Sequence, residues 1–229
     1  MIVTTLTLVK YLGSTLMITL KNRLYFLIFS IKANCIFILT VFFILSFHHC
    51  SAQDMKLRYN IKRGSKLIGS MTVNQNTSAT NVKTVKLESH IKTSFVVAIA
   101  VDAKEESVFQ DGVLTYSSVY RKVNGTEKVN KKHRSYGNGY AIEYKGKTDS
   151  LCCIQIQYNL MTMYAIEPVN IMRVYSDNYQ KFLVIQKLGA HVYKIEVPDG
   201  SYNVYHYLNG RCIKIEIHQT LYTAVMELT

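Results

Sequence analysis

From residue 55 to residue 228, apolar and polar side chains alternate along most of the chain. At the start of this region Leu57, Tyr59 and Ile61 are interleaved with basic and amide residues. A period of two is typical of strands that have one buried and one solvated face. The spacing leaves no room for the helices that connect parallel strands, so the pattern predicts an all-β, antiparallel fold.

Tight-turn sequences divide the alternating region into hairpins. Asp111-Gly112, Asn124-Gly125 and Asn209-Gly210 each separate two alternating segments, and such pairs accept the positive φ angles of two-residue hairpin turns. On this spacing the region holds about a dozen strands. Because a twisted sheet of that size rarely stays open, we predict an antiparallel barrel or half-barrel.

Residues 159–164 depart from the alternation. Asn159 is a good N-cap residue, and Pro168 follows shortly after the stretch. We therefore predict one short helical turn between strands, which plugs or caps the sheet.

The amino-terminal region has a different composition. Residues 33–47 carry no charge, follow Lys32 and precede the small residues Ser51 and Ala52. This order predicts a signal peptide over residues 1–52, with an over-extended start, and a single antiparallel β domain over residues 53–229. A retained membrane anchor is the alternative, since residues 25–47 are long enough to span a bilayer. Either way the basic flank sends the domain out of the cytoplasm, so we expect a secreted protein that is periplasmic or envelope-associated.

The chain has a formal net charge of +12, and its densest basic run extends from Lys128 to Arg134. Such a run is a solvated strand or a site for nucleic acid or anionic lipid. Export argues against nucleic acid, so we expect no nucleic-acid partner. Membrane association is expected only through an uncleaved leader.

The residues of catalytic and metal chemistry form no recognisable motif. There is no nucleophile elbow, Gly-rich phosphate loop or zinc-protease motif, so we predict no enzyme activity, catalytic residue, cofactor or metal. The five histidines of the predicted β domain are scattered at positions 90, 133, 191, 206 and 218. Cys152, Cys153 and Cys212 form no disulfide framework; one of the adjacent pair could join Cys212, but free, buried thiols are expected.

The last hairpin supplies candidate ligand-binding residues. With a two-residue turn at Asn209-Gly210, Val204 faces Ile215, and one face is largely aliphatic. The other face carries Tyr205, Tyr207 and Glu216. Amphipathic side chains of this kind either line a ligand cavity or cover an outer surface.

Tyr164 and Glu167 lie between the helical turn and the next strand, where a barrel has its mouth. The carboxylate of Glu167 either orients a ligand or caps backbone N–H groups around Pro168.

Several motifs resemble a known family. They are Phe109-x-Asp111-Gly112-Val113-Leu114, Tyr120-Arg121-x-Val123-Asn124-Gly125, Glu167-Pro168, Pro198-Asp199-Gly200 and Tyr205-x-Tyr207-x-Asn209-Gly210-x-Cys212. Together they resemble the exported bacterial family known as domain of unknown function (DUF) family 6134, over residues 55 to 229. The resemblance implies an exported, all-β envelope protein, distantly similar to barrel-like carriers that shield lipid tails. It implies no activity and no catalytic residues.

Two functions are consistent with these patterns. The first is a non-catalytic, barrel-like module that binds or shields an apolar or amphiphilic ligand, such as a lipid. The alternative is a structural or interaction protein of the cell envelope, with a solid barrel, an envelope protein as partner and no small-molecule ligand. A hollow interior favours the first function, and an interior filled by side chains favours the second.

Overall fold

The computed structural model describes residues 54–94, 98–220 and 222–229. The predicted signal peptide and its cleavage site lie outside these residues. In the described part of the chain, no helix is long and apolar enough to cross a membrane.

The described residues form fourteen strands and one short 3-10 helix at Leu160–Tyr164. The strands are β1 (Met55–Arg63), β2 (Lys66–Thr77), β3 (Val82–Ser94), β4 (Ala98–Gln110), β5 (Val113–Val123), β6 (Thr126–Tyr136), β7 (Gly139–Tyr144), β8 (Lys147–Leu151), β9 (Arg173–Ser176), β10 (Lys181–Gly189), β11 (Val192–Glu196), β12 (Tyr202–Leu208), β13 (Arg211–His218) and β14 (Thr223–Leu228). The prediction of an all-β fold with one short helical turn is confirmed.

All fourteen strands belong to one antiparallel sheet, in the order β8-β7-β6-β5-β4-β3-β2-β1-β14-β13-β12-β11-β10-β9. The sheet therefore consists almost entirely of hairpins, with β8 and β9 at its two edges. One crossover joins these edges through residues 152–172, and this crossover contains the 3-10 helix.

The predicted hairpin turns are present. Asn124 and Asn209 have φ angles of 50° and 51°, and the glycines that follow them have φ angles of 76°. Asparagine and glycine tolerate this left-handed conformation better than other residues do. Each turn therefore connects two antiparallel neighbours directly.

The sheet curls so that one of its faces encloses a core. Val85 of β3 and Leu183 of β10, which are far apart in strand order, belong to the same buried cluster. Met161 and Met163 of the 3-10 helix enter that cluster and are 2% and 0% exposed. The helix therefore plugs the interior, as predicted.

A second apolar cluster lies on the other side of the interior. It joins Phe109, Leu114 and Tyr140 to Ile156 and Tyr175. The backbone N–H of Leu114 donates to the carbonyl oxygen of Ile156 at 2.7 Å, and that of Tyr175 donates to Tyr158 at 3.0 Å. The crossover segment thus lies between β5 and β9 and ties the two parts of the curled sheet together.

Candidate functional site

The predicted tyrosines of β12 face the interior. Tyr205 and Tyr207 are 2% and 5% exposed. The Tyr207 hydroxyl donates to the carbonyl oxygen of Met163 at 2.7 Å, and its ring packs edge-on against Tyr193, with centroids 5.6 Å apart. Nearby, the Tyr59 hydroxyl donates to the carbonyl oxygen of Cys212 at 2.8 Å. We call Tyr59, Tyr193, Tyr205 and Tyr207 the tyrosine wall.

The tyrosine wall is packed against protein. Burial raises the pKa of Tyr59, Tyr205 and Tyr207 above the ordinary value of 10, because an ionised phenol is poorly solvated in a protein interior. Hydrogen bonds to backbone carbonyl oxygens occupy the hydroxyls of Tyr59 and Tyr207. This side of the interior is filled by side chains.

The predicted grouping of Glu216 with these tyrosines is wrong. In the structure Val204 faces Glu216 rather than Ile215, and His206 faces Lys214. The pairing shifts by one residue between His206 and Tyr207, so Ile213 is the extra residue of a β-bulge. A one-residue shift moves every later side chain to the opposite face.

Glu216 consequently lies on the face opposite Tyr205. It accepts a hydrogen bond from Lys214 at 2.8 Å and pairs with His206 at 3.1 Å. The Lys214 ammonium beside it holds the pKa of the Glu216 carboxyl below its usual range. Glu216 is therefore part of a charged cluster, separate from the tyrosine wall.

Glu167 is held by two side chains. Its carboxylate accepts a hydrogen bond from the Tyr193 hydroxyl at 2.7 Å and pairs with His191 at 3.0 Å, and its side chain is 7% exposed. Burial alone would raise its pKa, but the hydrogen bonds from Tyr193 and His191 lower it below the ordinary value. Through Tyr193, Glu167 is connected to Tyr207.

Tyr164 ends the 3-10 helix and is half-buried. Its ring lies edge-on to Tyr59, with centroids 6.0 Å apart. Burial raises the pKa of Tyr164 well above 10, and the charges of Tyr205 and Glu105 contribute. The structure thus brings Tyr164 close to the tyrosine wall and to an acidic side chain that the sequence patterns did not single out.

That acidic side chain is part of an ion pair on the inner face of the sheet. Glu105 of β4 lies opposite the core residues Leu87 and Val119, so it points inward. The Arg121 Nη2 atom lies 3.6 Å from Glu105 Oε1, and the two side chains are 35% and 22% exposed. We call Glu105 and Arg121 the inward ion pair.

The carboxyl group of Glu105 is desolvated and yet partly accessible to water. Burial raises the pKa of Glu105, and the charge of Arg121 only partly offsets this rise. Desolvation requires protein on most sides of the carboxyl group, whereas 22% exposure of the side chain requires space that water can enter. The carboxyl group of Glu105 is thus surrounded mostly by protein, while part of its side chain remains in contact with water.

Apolar side chains continue the same inner face beyond the inward ion pair. Ile91, Val101 and Val123 lie opposite one another on β3, β4 and β5 and are all partly exposed. Their position relative to Glu105 and Arg121 gives this face a polar and an apolar part.

A buried polar network lies deeper in the interior. The Asn159 side-chain amide donates to Ser107 Oγ at 2.8 Å and to Asp177 Oδ2 at 2.9 Å. The Ser117 hydroxyl donates to the other carboxylate oxygen of Asp177. Burial raises the pKa of Asp177 to about 6, against the lowering effect of these hydrogen bonds. Ser107, Ser117, Asn159 and Asp177 are all nearly or completely inaccessible to solvent.

His133 adjoins this network without completing a catalytic triad. Its Nδ1 atom lies 4.0 Å from Asp177 Oδ1, and among the described residues neither ring nitrogen has a hydrogen-bond partner. Burial lowers its pKa to about 4, assisted by the charge of Lys131. The Ser117 hydroxyl donates to Asp177 rather than to a histidine. A hydrolytic triad requires a hydroxyl that the histidine can deprotonate.

The basic run from Lys128 to Arg134 alternates between the two faces of β6. His133 is completely buried and Lys131 is partly buried, whereas Lys128 and Arg134 are exposed. On the outer face, Lys128 and Lys132 line an open groove of about 440 Å³ together with residues 143–148. In the described part of the chain, no group of three or more His, Cys, Asp or Glu side chains is arranged to hold a metal ion.

The cysteines differ from the expectation of three buried thiols. Cys212 is free and buried, whereas Cys152 and Cys153 are free and exposed. The reason is that the adjacent pair follows the end of β8 and lies outside the regular sheet.

The family assignment follows from comparison with known proteins. The family model described as "Domain of unknown function (DUF6134)" matches residues 59–229. The chain belongs to this family. A comparison with curated proteins finds no match.

The fold of this DUF6134 protein is similar to that of a solved structure. That structure is a beta-barrel-like protein of the domain of unknown function DUF1849 from Brucella abortus, with a TM-score of 0.51 and 14% sequence identity. The match covers 78% of this chain and 98% of the other. At this level of identity the similarity concerns the fold alone, and it agrees with a barrel-like arrangement.

Proposed function

We propose that this DUF6134 protein is a non-catalytic binding module that holds an amphiphilic ligand in a recess lined by the inward ion pair. The observation that carries the proposal is the combination of desolvation and accessibility at Glu105. A solid interior leaves an inward-facing charge without access to water, which is unfavourable. In a recess, water solvates the charge when the ligand is absent, and the polar head of the ligand replaces that water when it binds.

The chemistry of the recess suits a ligand with an anionic or strongly polar head and an apolar tail. The guanidinium of Arg121 forms charge-assisted hydrogen bonds with carboxylates and phosphates. Burial raises the pKa of Glu105, which lowers the free-energy cost of protonating its carboxyl group when an anionic head group approaches. Ile91, Val101 and Val123 provide partly exposed apolar surface on the same face, and its burial by a tail is favourable by roughly 25 cal/mol per Å².

The candidate ligand-binding residues predicted from the sequence have unequal roles in this proposal. Tyr164 borders the recess, because it is half-buried and within electrostatic range of Glu105. Tyr205 and Tyr207 form the closed floor behind it. Glu167 acts indirectly, by fixing the Tyr193 hydroxyl, and Glu216 has no part in the ligand site.

Titration with a fluorescent fatty acid tests the proposal. Wild-type protein is expected to take up the probe saturably, and Arg121→Gln to weaken binding at least about tenfold, because one charge-assisted hydrogen bond is lost. Lys122→Gln is the matched control, since Lys122 is the next residue of the same strand and its side chain lies over the ring of Tyr120 on the outer face. Absence of saturable uptake by the wild type contradicts the proposal. Equal binding by Arg121→Gln places the ligand elsewhere.

An interaction module is the second candidate, and one observation favours it. Edge strand β8 has four exposed residues out of five, and it borders a groove whose lining is net basic, with Lys128, Lys132, Lys145 and Lys147 against Glu127 and Glu143. Exposed edge strands accept an additional strand from a partner. An envelope protein with an acidic extended segment suits this surface, and the interior would then need no ligand.

A further inference from the structure

Two exposed cysteines meet at the end of β8. The Sγ atoms of Cys152 and Cys153 lie 2.6 Å apart, and both residues are exposed. Adjacent side chains of a regular strand point to opposite faces, so this contact depends on irregular backbone. Cys153 has a φ angle of 60°, which is uncommon for a residue other than glycine. This conformation brings both thiols to the same side of the chain.

Asn138 fixes the pair from the neighbouring turn. Its side-chain amide donates to Cys153 Sγ at 3.6 Å, and Cys152 Sγ donates to its side-chain oxygen at 3.8 Å. The backbone N–H of Ile154 donates to the carbonyl oxygen of Asn138 at 3.2 Å. The turn between β6 and β7 thus holds both thiols and the backbone that follows them.

We propose that Cys152 and Cys153 form a redox-active vicinal dithiol, which closes to a disulfide by exchange with a small-molecule disulfide. One protein thiolate attacks the external disulfide, whose S–S bond breaks and releases the first small thiol. The second protein thiolate then attacks the protein sulfur of this mixed disulfide and releases the second small thiol. The protein loses two electrons and two protons, and the external disulfide gains them as two thiols.

The closed form is expected to be easily reduced. Adjacent Cα atoms are about 3.8 Å apart across a trans peptide, whereas disulfides usually join Cα atoms roughly 4.4 to 6.8 Å apart. Strained or exposed disulfides are more oxidising than buried structural ones. The pair is therefore suited to cycling between two states rather than to stabilising the fold. It is also independent of the proposed ligand site, because both cysteines are exposed whereas Glu105 and Arg121 lie on the inner face of the sheet.

An aromatic disulfide that releases a coloured thiolate tests the proposal on the native protein. The test uses a chain that carries Cys35→Ser and Cys50→Ser and is the wild-type reference here, so that only the cysteines after residue 54 are counted. Each molecule of it is expected to consume one reagent molecule and release two thiolates. Its mass should fall by about 2 Da with no adduct, because an internal disulfide replaces two thiols. Cys153→Ser and Cys152→Ser should each release one thiolate and retain an adduct. Both positions are exposed, so these variants leave the core unchanged.

Cys212→Ala is the control for the third thiol, and it should behave as wild type because Cys212 is 0% exposed. Wild-type protein that is already oxidised when isolated has no reactive thiol. If brief treatment with excess dithiol then restores both thiols, this result also supports the proposal. Wild-type protein that keeps two separate adducts, or that forms dimers in place of the internal disulfide, overturns it.

Discussion

The two sides of the barrel interior bury polar groups in different ways. On the side of β12 and β13, each hydroxyl of the tyrosine wall has a single partner: Tyr59 and Tyr207 donate to backbone oxygens, and Tyr193 donates to the Glu167 carboxylate. On the side of β4 and β5, the sheet presents an ion pair and a carboxylate network to the interior. Buried hydroxyls need one partner each, whereas buried charges need several or access to water. This difference is the reason for assigning the proposed ligand site to the second side.

Truncation within the tyrosine wall should give the largest loss of stability. Tyr207→Ala is expected to lower the free energy of unfolding by about 3 to 5 kcal/mol, as for other large aromatic residues in cores. Tyr207→Phe, which loses only the hydrogen bond to Met163, should cost about 1 kcal/mol. Urea denaturation measures both variants. If Tyr207→Ala costs no more than Tyr207→Phe, the wall borders open space and the two sides do not differ as described.

The polar side should respond to pH through two opposing groups. The pKa of Asp177 is raised from 3.8 to about 6, so the folded state binds the extra proton, and this contribution to stability is lost as pH rises through that window. The pKa of His133 is lowered from 6.5 to about 4, so its contribution is lost as pH falls from 6.5 to 4. Each group is worth at most about 3 kcal/mol, and in the wild type the two largely cancel.

Replacing either His133 or Asp177 should expose the pH dependence of stability that the other residue contributes. As pH rises from about 4 to about 6, the stability of His133→Phe is expected to fall relative to wild type, and that of Asp177→Asn to rise. The measurement is the free energy of unfolding by urea at several pH values. Parallel profiles for wild type and both variants would show that neither group titrates differently in the folded and unfolded states.

The turn that sets the register of β12 and β13 should have a smaller effect. Gly210 has a φ angle of 76°, which a β-branched residue adopts only with strain, so Gly210→Val should lower stability by about 1 to 3 kcal/mol. Gly189→Val is the control, because a Cβ added at either glycine has no atom within 4 Å, but Gly189 does not have a positive φ angle. Thermal melts compare the two, and equal melting temperatures would argue against a two-residue turn.

Much of the fold follows from local sequence. Alternation places Leu57, Tyr59 and Ile61 in the core, and the Asn-Gly pairs place two of the turns, because both depend on short-range geometry. The bulge at Ile213 does not follow, since Ile213, Ile215 and Ile217 continue the apolar alternation with no visible break at the extra residue. That single residue separates Glu216 from Tyr205 and made the predicted face wrong.

The inward ion pair has a detectable signal in the sequence that the search for motifs missed. Val101, Ala103, Ser107 and Phe109 alternate with solvated residues, and Glu105 lies in phase with them. An acidic residue at a core position marks a candidate site. The contact between Ser117 and Asp177, which are 60 residues apart, depends on how the sheet curls, and no local pattern encodes that.

Photo-crosslinking tests the contrast between the two sides most directly. A fatty acid with a diazirine in its tail is bound to the wild-type protein, irradiated and located by peptide mapping. The account predicts saturable labelling within residues 91–131, on β3 to β6, that competes with unlabelled fatty acid. Saturable labelling on β12 or β13 instead, or only unsaturable labelling, would contradict it.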